Sequence, residues 1–102
     1  MNYNVIKSKY NIITQNLRES SYISNMYVND HGESNTQSGT YYRKEYILNV
    51  DLKNSTYNTK RYFGEQLKRK IGMNLSEMYI DNTYEVYMRE ENNKLILDIY
   101  IS

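Results

Sequence analysis

Cysteine, proline, alanine and tryptophan are missing from this 102-residue chain, and histidine and phenylalanine occur once each. Without cysteine there is no disulfide framework and no thiolate metal site. The lone His31 falls short of the histidine cluster that a metal-dependent nicking enzyme needs. A metal there would have to draw on Asp30 and Glu33 in a stretch that reads as a mobile loop, a poor setting for fixed ligands. Neither a Ser-His-Asp nor a Cys-His arrangement can be assembled. No GxxxxGK[ST] or GxGxxG run is present, so no phosphate-cradling loop is expected. The Glu90-Glu91 pair reads as the solvated tip of a hairpin and not as an acid–base pair. The expectation is a protein with no catalytic residue, no metal and no cofactor.

Long apolar runs are lacking too. None approaches the ~20 residues of a membrane span, and Met1-Asn2-Tyr3-Asn4 has neither the charged nor the apolar region of a signal peptide. A cytoplasmic protein that does not enter a membrane is expected. Asn54-Ser55-Thr56 and Asn74-Leu75-Ser76 then match the glycosylation pattern by chance. The missing alanine and proline need GC-rich codons, while the abundant Asn, Ile, Tyr and Lys use AT-rich ones. That points to an AT-rich genome such as a low-GC bacterium, its phage or its plasmid.

What is present is tyrosine, 13 residues of it, within a composition 39% hydrophobic and 25% charged that reads as globular. Tyrosine must supply core volume, and the surplus must sit on exposed faces as binding anchors. The length suits one domain, 1–102, with one core.

Ile6, Tyr10, Ile13 and Leu17 recur at helical spacing, although the β-branched Ile12-Ile13 pair leaves a strand open. Residues 22–28 read as a strand. Residues 29–40 contain nothing apolar and read as a flexible loop at the tip of a hairpin. Residues 41–52 read as the second strand. Tyr42, Tyr46, Leu48, Val50 and Leu52 lie on one face, Arg43, Glu45, Asn49 and Asp51 on the other, and Lys44 and Ile47 break the alternation. Asn58 or Thr59 can cap a helix whose stripe is Phe63, Leu67 and Ile71. Gly72 reads as its stop, and residues 74–80 as a short second helix. A two-residue turn at Asn92-Asn93 pairs Met88 with Leu97, Val86 with Ile99 and Tyr84 with Ile101 on a core face. The opposite face pairs Arg89 with Ile96, Tyr87 with Asp98 and Glu85 with Tyr100. A one-residue slip would destroy this segregation.

Net charge is only +1, but residues 39–73 carry eight cations against three acids, and residues 74–102 two cations against six acids. The basic block contains Arg43, Lys44, Lys60, Arg61, Lys68, Arg69 and Lys70. Cations at the end of a helix are favoured by its dipole, so Lys68–Lys70 also fit a solvated face. Lys60 and Arg61 sit where the dipole disfavours them, which favours phosphate contact.

Residues 63–79, FGEQLKRKIGMNLSEMY, resemble a helix-turn-helix with Gly72 in the turn and Leu67 and Ile71 on the buried side. The hairpin 83–101 would be the wing. With its size and AT-rich composition, the chain resembles the small winged-helix accessory proteins of conjugative-plasmid relaxosomes, the TcpK-like type. The resemblance implies an α+β, winged-helix-like single domain with helices packed on antiparallel β-hairpins. It further implies a non-catalytic homodimer that binds double-stranded DNA at a transfer origin and assists other DNA-processing proteins. The second helix has no basic residue, so contacts would come from the seven cations above and from Arg89, Asn92, Asn93 and Lys94 of the wing. Two alternatives stay open. One is a phage or mobile-element protein that binds and inhibits a host protein through its tyrosines and acidic C-terminal face, an anti-defence role. The other is a RelE-type ribonuclease toxin using Arg, Lys and Tyr.

Overall fold

The computed structural model describes residues 3–37, 39–53, 55–78 and 83–102. The helical stripe of Ile6, Tyr10, Ile13 and Leu17 forms α1, Tyr3–Arg18, and buries all four residues. A hairpin follows, β1 (Ile23–Thr36) and β2 (Gly39–Val50). Then come α2 (Lys60–Met78) and a second hairpin, β3 (Tyr84–Glu91) and β4 (Lys94–Ile101). The four strands form one antiparallel sheet in the order β1-β2-β4-β3. The chain is an α+β domain made of two helix–hairpin units joined where β2 pairs with β4.

Both helices pack on the same face of the sheet. Tyr46, Leu48, Val50, Leu95, Leu97, Ile99 and Ile101 meet Ile6, Tyr10, Ile13, Phe63 and Ile71 in one core. Tyrosine does supply core volume: Tyr10 and Tyr46 are fully buried. Burial demands partners for their hydroxyls. The Tyr10 hydroxyl lies 2.6 Å from the Tyr42 carbonyl oxygen and 2.8 Å from that of Ile99, bridging β2 and β4. The Tyr46 hydroxyl sits 2.7 Å from Thr14 Oγ1, and burial pushes it up to about 12.

The C-terminal hairpin has the register that its alternation predicts, from Tyr84 opposite Ile101 to Glu91 opposite Lys94. Asn92 and Asn93 turn at φ 52° and 63°, the left-handed region that asparagine tolerates. Thr59 is the helix cap, accepting the Tyr62 N–H at 3.0 Å on Oγ1. The β2 faces are as read up to Val50, with Lys44 on the core side and Ile47 opposite, but the strand ends there, so Asp51 and Leu52 lie beyond it.

Two expectations are corrected. Residues 29–40 are not a loop as far as they are described: β1 runs to Thr36 and β2 starts at Gly39. This end of the hairpin overhangs β4, whose pairing with β2 stops at Tyr42. Backbone hydrogen bonds hold it together, so it needs no apolar face. A bulge at His31 is absorbed by Gly32, at φ 68°, whose N–H is accepted by Asp30 Oδ1 at 3.0 Å. Second, Gly72 does not stop a helix, because α2 continues to Met78. A mid-helix glycine costs about 1 kcal/mol. Burying Ile71 and Leu75 on either side of it returns about 1.5–3 kcal/mol each. The helix-turn-helix over residues 63–79 is therefore not formed. Tyr79 and Ile80 of the expected second helix lie outside the described residues. Nor is β3–β4 an appended wing, since β4 is a central strand. Among the described residues no helix is long and apolar enough to cross a membrane.

The two glycines of α2 give opposite expectations. A Cβ on Gly64 would stand 2.6 Å from Cδ1 of the fully buried Leu95 and 3.1 Å from Met88 Cγ. Overpacking of this kind costs about 1–3 kcal/mol and outweighs the gain in helix propensity. A Cβ on Gly72 would meet nothing closer than 3.8 Å. Urea denaturation should show Gly64→Ala less stable by about 1 kcal/mol and Gly72→Ala more stable by up to about 1 kcal/mol. A loss at Gly72→Ala would restore the broken-helix reading.

Candidate functional site

With both helices on one side, the other face of the sheet is uncovered by either helix. Strand alternation places Tyr27 and Asn29 of β1, Tyr41, Arg43, Glu45 and Ile47 of β2, Ile96, Asp98 and Tyr100 of β4, and Glu85, Tyr87, Arg89 and Glu91 of β3 on it. At its centre Glu45 and Asp98 are direct cross-strand partners, 8% and 7% exposed. Two carboxylates opposite each other repel, and burial raises the cost of their charges. Two arginines compensate. Arg43 grips Asp98 with two bonds, Nε to Oδ1 at 2.8 Å and Nη2 to Oδ2 at 2.9 Å. Arg89 reaches across β4 from the edge strand to Glu45 Oε2 at 2.7 Å, and its Nε donates to Glu91 at 3.0 Å. His31 Nε2 approaches Glu45 Oε1 at 3.3 Å from the bulge in β1.

The Arg89 hydrogen bond, helped by that of His31 and by the charges of Arg89 and Arg43, holds the Glu45 carboxyl below its usual range against the opposing effect of burial. Aromatic rings frame the cluster. The Arg43 guanidinium lies 5.4 Å from the Tyr100 ring centre, within cation–π reach. Tyr41 and Tyr87 meet Tyr100 edge to face, at 6.2 and 6.0 Å. Tyr41 is buried, whereas Tyr87 and Tyr27, on the two edge strands, are 52% and 65% exposed.

The sequence-derived cations are not gathered into one patch. Arg43 and Arg89 are committed to carboxylates on this face. Lys44 is on the opposite face, 3.9 Å from Asp30 and 5.2 Å from the Tyr10 ring centre. Lys60 is held by the hairpin tip, donating to the Asn93 carbonyl at 3.2 Å and to its Oδ1 at 3.0 Å. Asn92 and Asn93 serve the turn, and Lys94 is exposed beside it. Arg61, Lys68 and Arg69 lie on the side of α2 turned to β3 and solvent, and Lys70, 200° round the helix from Lys68, faces α1. These four make no hydrogen bond or ion pair with any described residue. Among the described residues no group of three His, Cys, Asp or Glu side chains could hold a metal ion.

Glu45, Asp98, His31 and the Tyr41–Tyr87–Tyr100 cluster escaped the sequence reading as a site. Half the signal was legible: Arg43 and Glu45 share a face of β2, and Tyr87–Asp98 and Arg89–Ile96 share a face of the last hairpin. The β2–β4 register that unites them leaves no local mark. No protein-family model, curated protein or solved structure matches this chain.

The cluster should set the acid limit of stability. A carboxyl whose folded value is depressed stabilises fully above its unfolded value, about 4.3 for glutamate, and loses this as pH falls through the folded value. Unfolding free energy measured in urea should drop below about pH 4.3, less steeply in Arg89→Gln. Arg43→Met, which leaves two adjacent carboxylates with one arginine, should cost about 2–3 kcal/mol at pH 7. That is at or below the ~3–5 kcal/mol of a fully buried pair.

Proposed function

We propose that the chain is a binding protein whose helix-free sheet face docks on a basic surface of a protein partner. One observation carries this reading: two exposed tyrosines, Tyr27 and Tyr87, flank a face whose arginines are already neutralised from within. Tyrosine and arginine dominate the energetics of protein interfaces, and an internally paired cluster docks without leaving a charge unmatched. The carboxylates of Glu45, Glu85, Glu91 and Asp98 outnumber Arg43, Arg89 and Lys94 on this face. The complementary partner is therefore cationic, the kind of surface that proteins acting on nucleic acid present to it. A chain that occupies such a surface inhibits its owner, the anti-defence role weighed above.

Duplex DNA is the second reading, with the relaxosome accessory role resting on it. It is favoured by Arg61, Lys68 and Arg69, which line one side of α2 without ion pairs to described residues. Phosphate binding through Arg43 or Arg89 would instead have to displace Asp98 or Glu45.

Two titrations separate the readings. A partner isolated from host cells and then purified should bind the wild type and bind Tyr27→Ser/Tyr87→Ser at least tenfold more weakly, as expected where truncating hot-spot tyrosines costs 2 kcal/mol or more. Fluorescence anisotropy with duplex DNA at low salt and at about 150 mM should show no binding. Salt-sensitive duplex binding that disappears in Lys68→Ala/Arg69→Ala, with partner affinity unchanged in the tyrosine variant, would overturn the protein reading in favour of DNA.

A further inference from the structure

The sheet ends in two edge strands, β1 and β3. An edge strand presents a row of backbone N–H and C=O groups to any strand that can lie beside it, and soluble proteins guard such edges with charge. β3 is guarded: Glu85, Arg89, Glu90 and Glu91 make up half of its eight residues. β1 is not. From Ile23 to Asn29 it carries no charged residue and no glycine.

The β1–β2 ladder is irregular at Ser24 and at His31, and the stretch between, Asn25 to Asp30, is regularly paired. Its six residues are the length of an ordinary strand. Alternation puts Met26 and Val28 on the helix side, half-buried against the core, and Asn25, Tyr27 and Asn29 on the open side. Tyr27, near the middle, is 65% exposed, more than any other large hydrophobic side chain among the described residues.

This stretch is complementary to itself. Set it antiparallel to a copy, about a two-fold axis through Tyr27 and perpendicular to the sheet. Met26 then falls opposite Val28 of the copy, so apolar meets apolar on the helix side. Asn25 falls opposite Asn29 on the open side, and the two Tyr27 rings face each other at the axis. Asp30, the one charge in the stretch, falls opposite Ser24 and not opposite its own copy. Neighbouring registers lose this match. An axis at Val28 sets Asp30 against Met26, and an axis at Met26 sets Val28 against Ser24.

We propose that β1 pairs with β1 of a second copy of this chain in the Tyr27-centred register. Two four-stranded sheets become one of eight, within the roughly 10 strands that open sheets reach. The contact is isologous, the same patch used by both copies. Met26 and Val28 of opposite copies exchange backbone bonds, and the Met26 N–H leaves Asn25 Oδ1, which accepts it at 2.9 Å in the single chain. The dimer does not rest on the partner assigned to the open face; it forms without one and sets two copies of that face edge to edge.

Sedimentation equilibrium of the full chain tests the assignment. With rising concentration the wild type should reach twice 12.3 kDa. Tyr27→Lys and Tyr27→Glu each set like charges directly opposite, and each should weaken dimerisation at least tenfold. An equimolar mixture of the two should pair again, because the facing residues then carry opposite charges. Tyr27 is exposed, so both variants should fold, which circular dichroism checks. Hydrogen exchange gives a second readout: the Met26 and Val28 amides should exchange at least tenfold more slowly in the dimer than in dilute monomer, with those of β3 unchanged. A mass of 12.3 kDa at every concentration, a dimer that neither substitution weakens, or a mixture that stays monomeric would each overturn the proposal. No partner is present in these measurements, so such a result leaves the reading of the open face standing.

Discussion

The pairing of β2 with β4 is the contact on which the rest of the molecule depends. Each helix–hairpin unit alone has only a two-stranded sheet, which by itself is marginally stable in water. Joined along β2 and β4, the strands give a surface wide enough for both helices, and Leu48, Tyr46, Leu97 and Ile99 become the floor of one core. The Tyr10 hydroxyl, in reach of a carbonyl on each central strand, ties α1 to this seam. The same register places Glu45 beside Asp98 on the far side.

That coincidence of faces explains the electrostatics. A charge map drawn along the chain shows a basic middle and an acidic end, which suggests an extended cationic surface. Folding brings the two blocks together, since β2 belongs to the first and β4 to the second. Arg43 meets Asp98 over 55 residues of sequence, and Arg89 meets Glu45 over 44. Cations that look like a phosphate-binding set are distributed over both sheet faces and two sides of α2. The ones left without hydrogen bonds or ion pairs to described residues are Arg61, Lys68, Arg69 and Lys70 on α2 and Lys94 at the start of β4. A basic block is a property of composition, and a basic patch is a property of packing.

The two sides of the sheet then offer different chemistry. One presents aromatic rings around a neutralised ion cluster. The other holds a cleft with an apolar floor between the two helices. Neither uses the helix-turn-helix geometry, which vanishes because the burial of Ile71 and Leu75 carries α2 straight through Gly72.

The sequence by itself determined the local elements. Helical spacing marked α1, with a strand left open there, and the core stripe of α2, Asn58 or Thr59 marked a helix start, and Asn92-Asn93 with its flanking alternation specified the last hairpin to the residue. These depend on interactions within a few positions of chain, where periodicity and turn chemistry leave direct traces. Only the tertiary structure decided that a polar stretch is paired strand, that a glycine is mid-helix and that Glu45 adjoins Asp98. Each of those outcomes was set by what packs against the segment from far along the chain, and no residue type or spacing encodes that neighbour in advance.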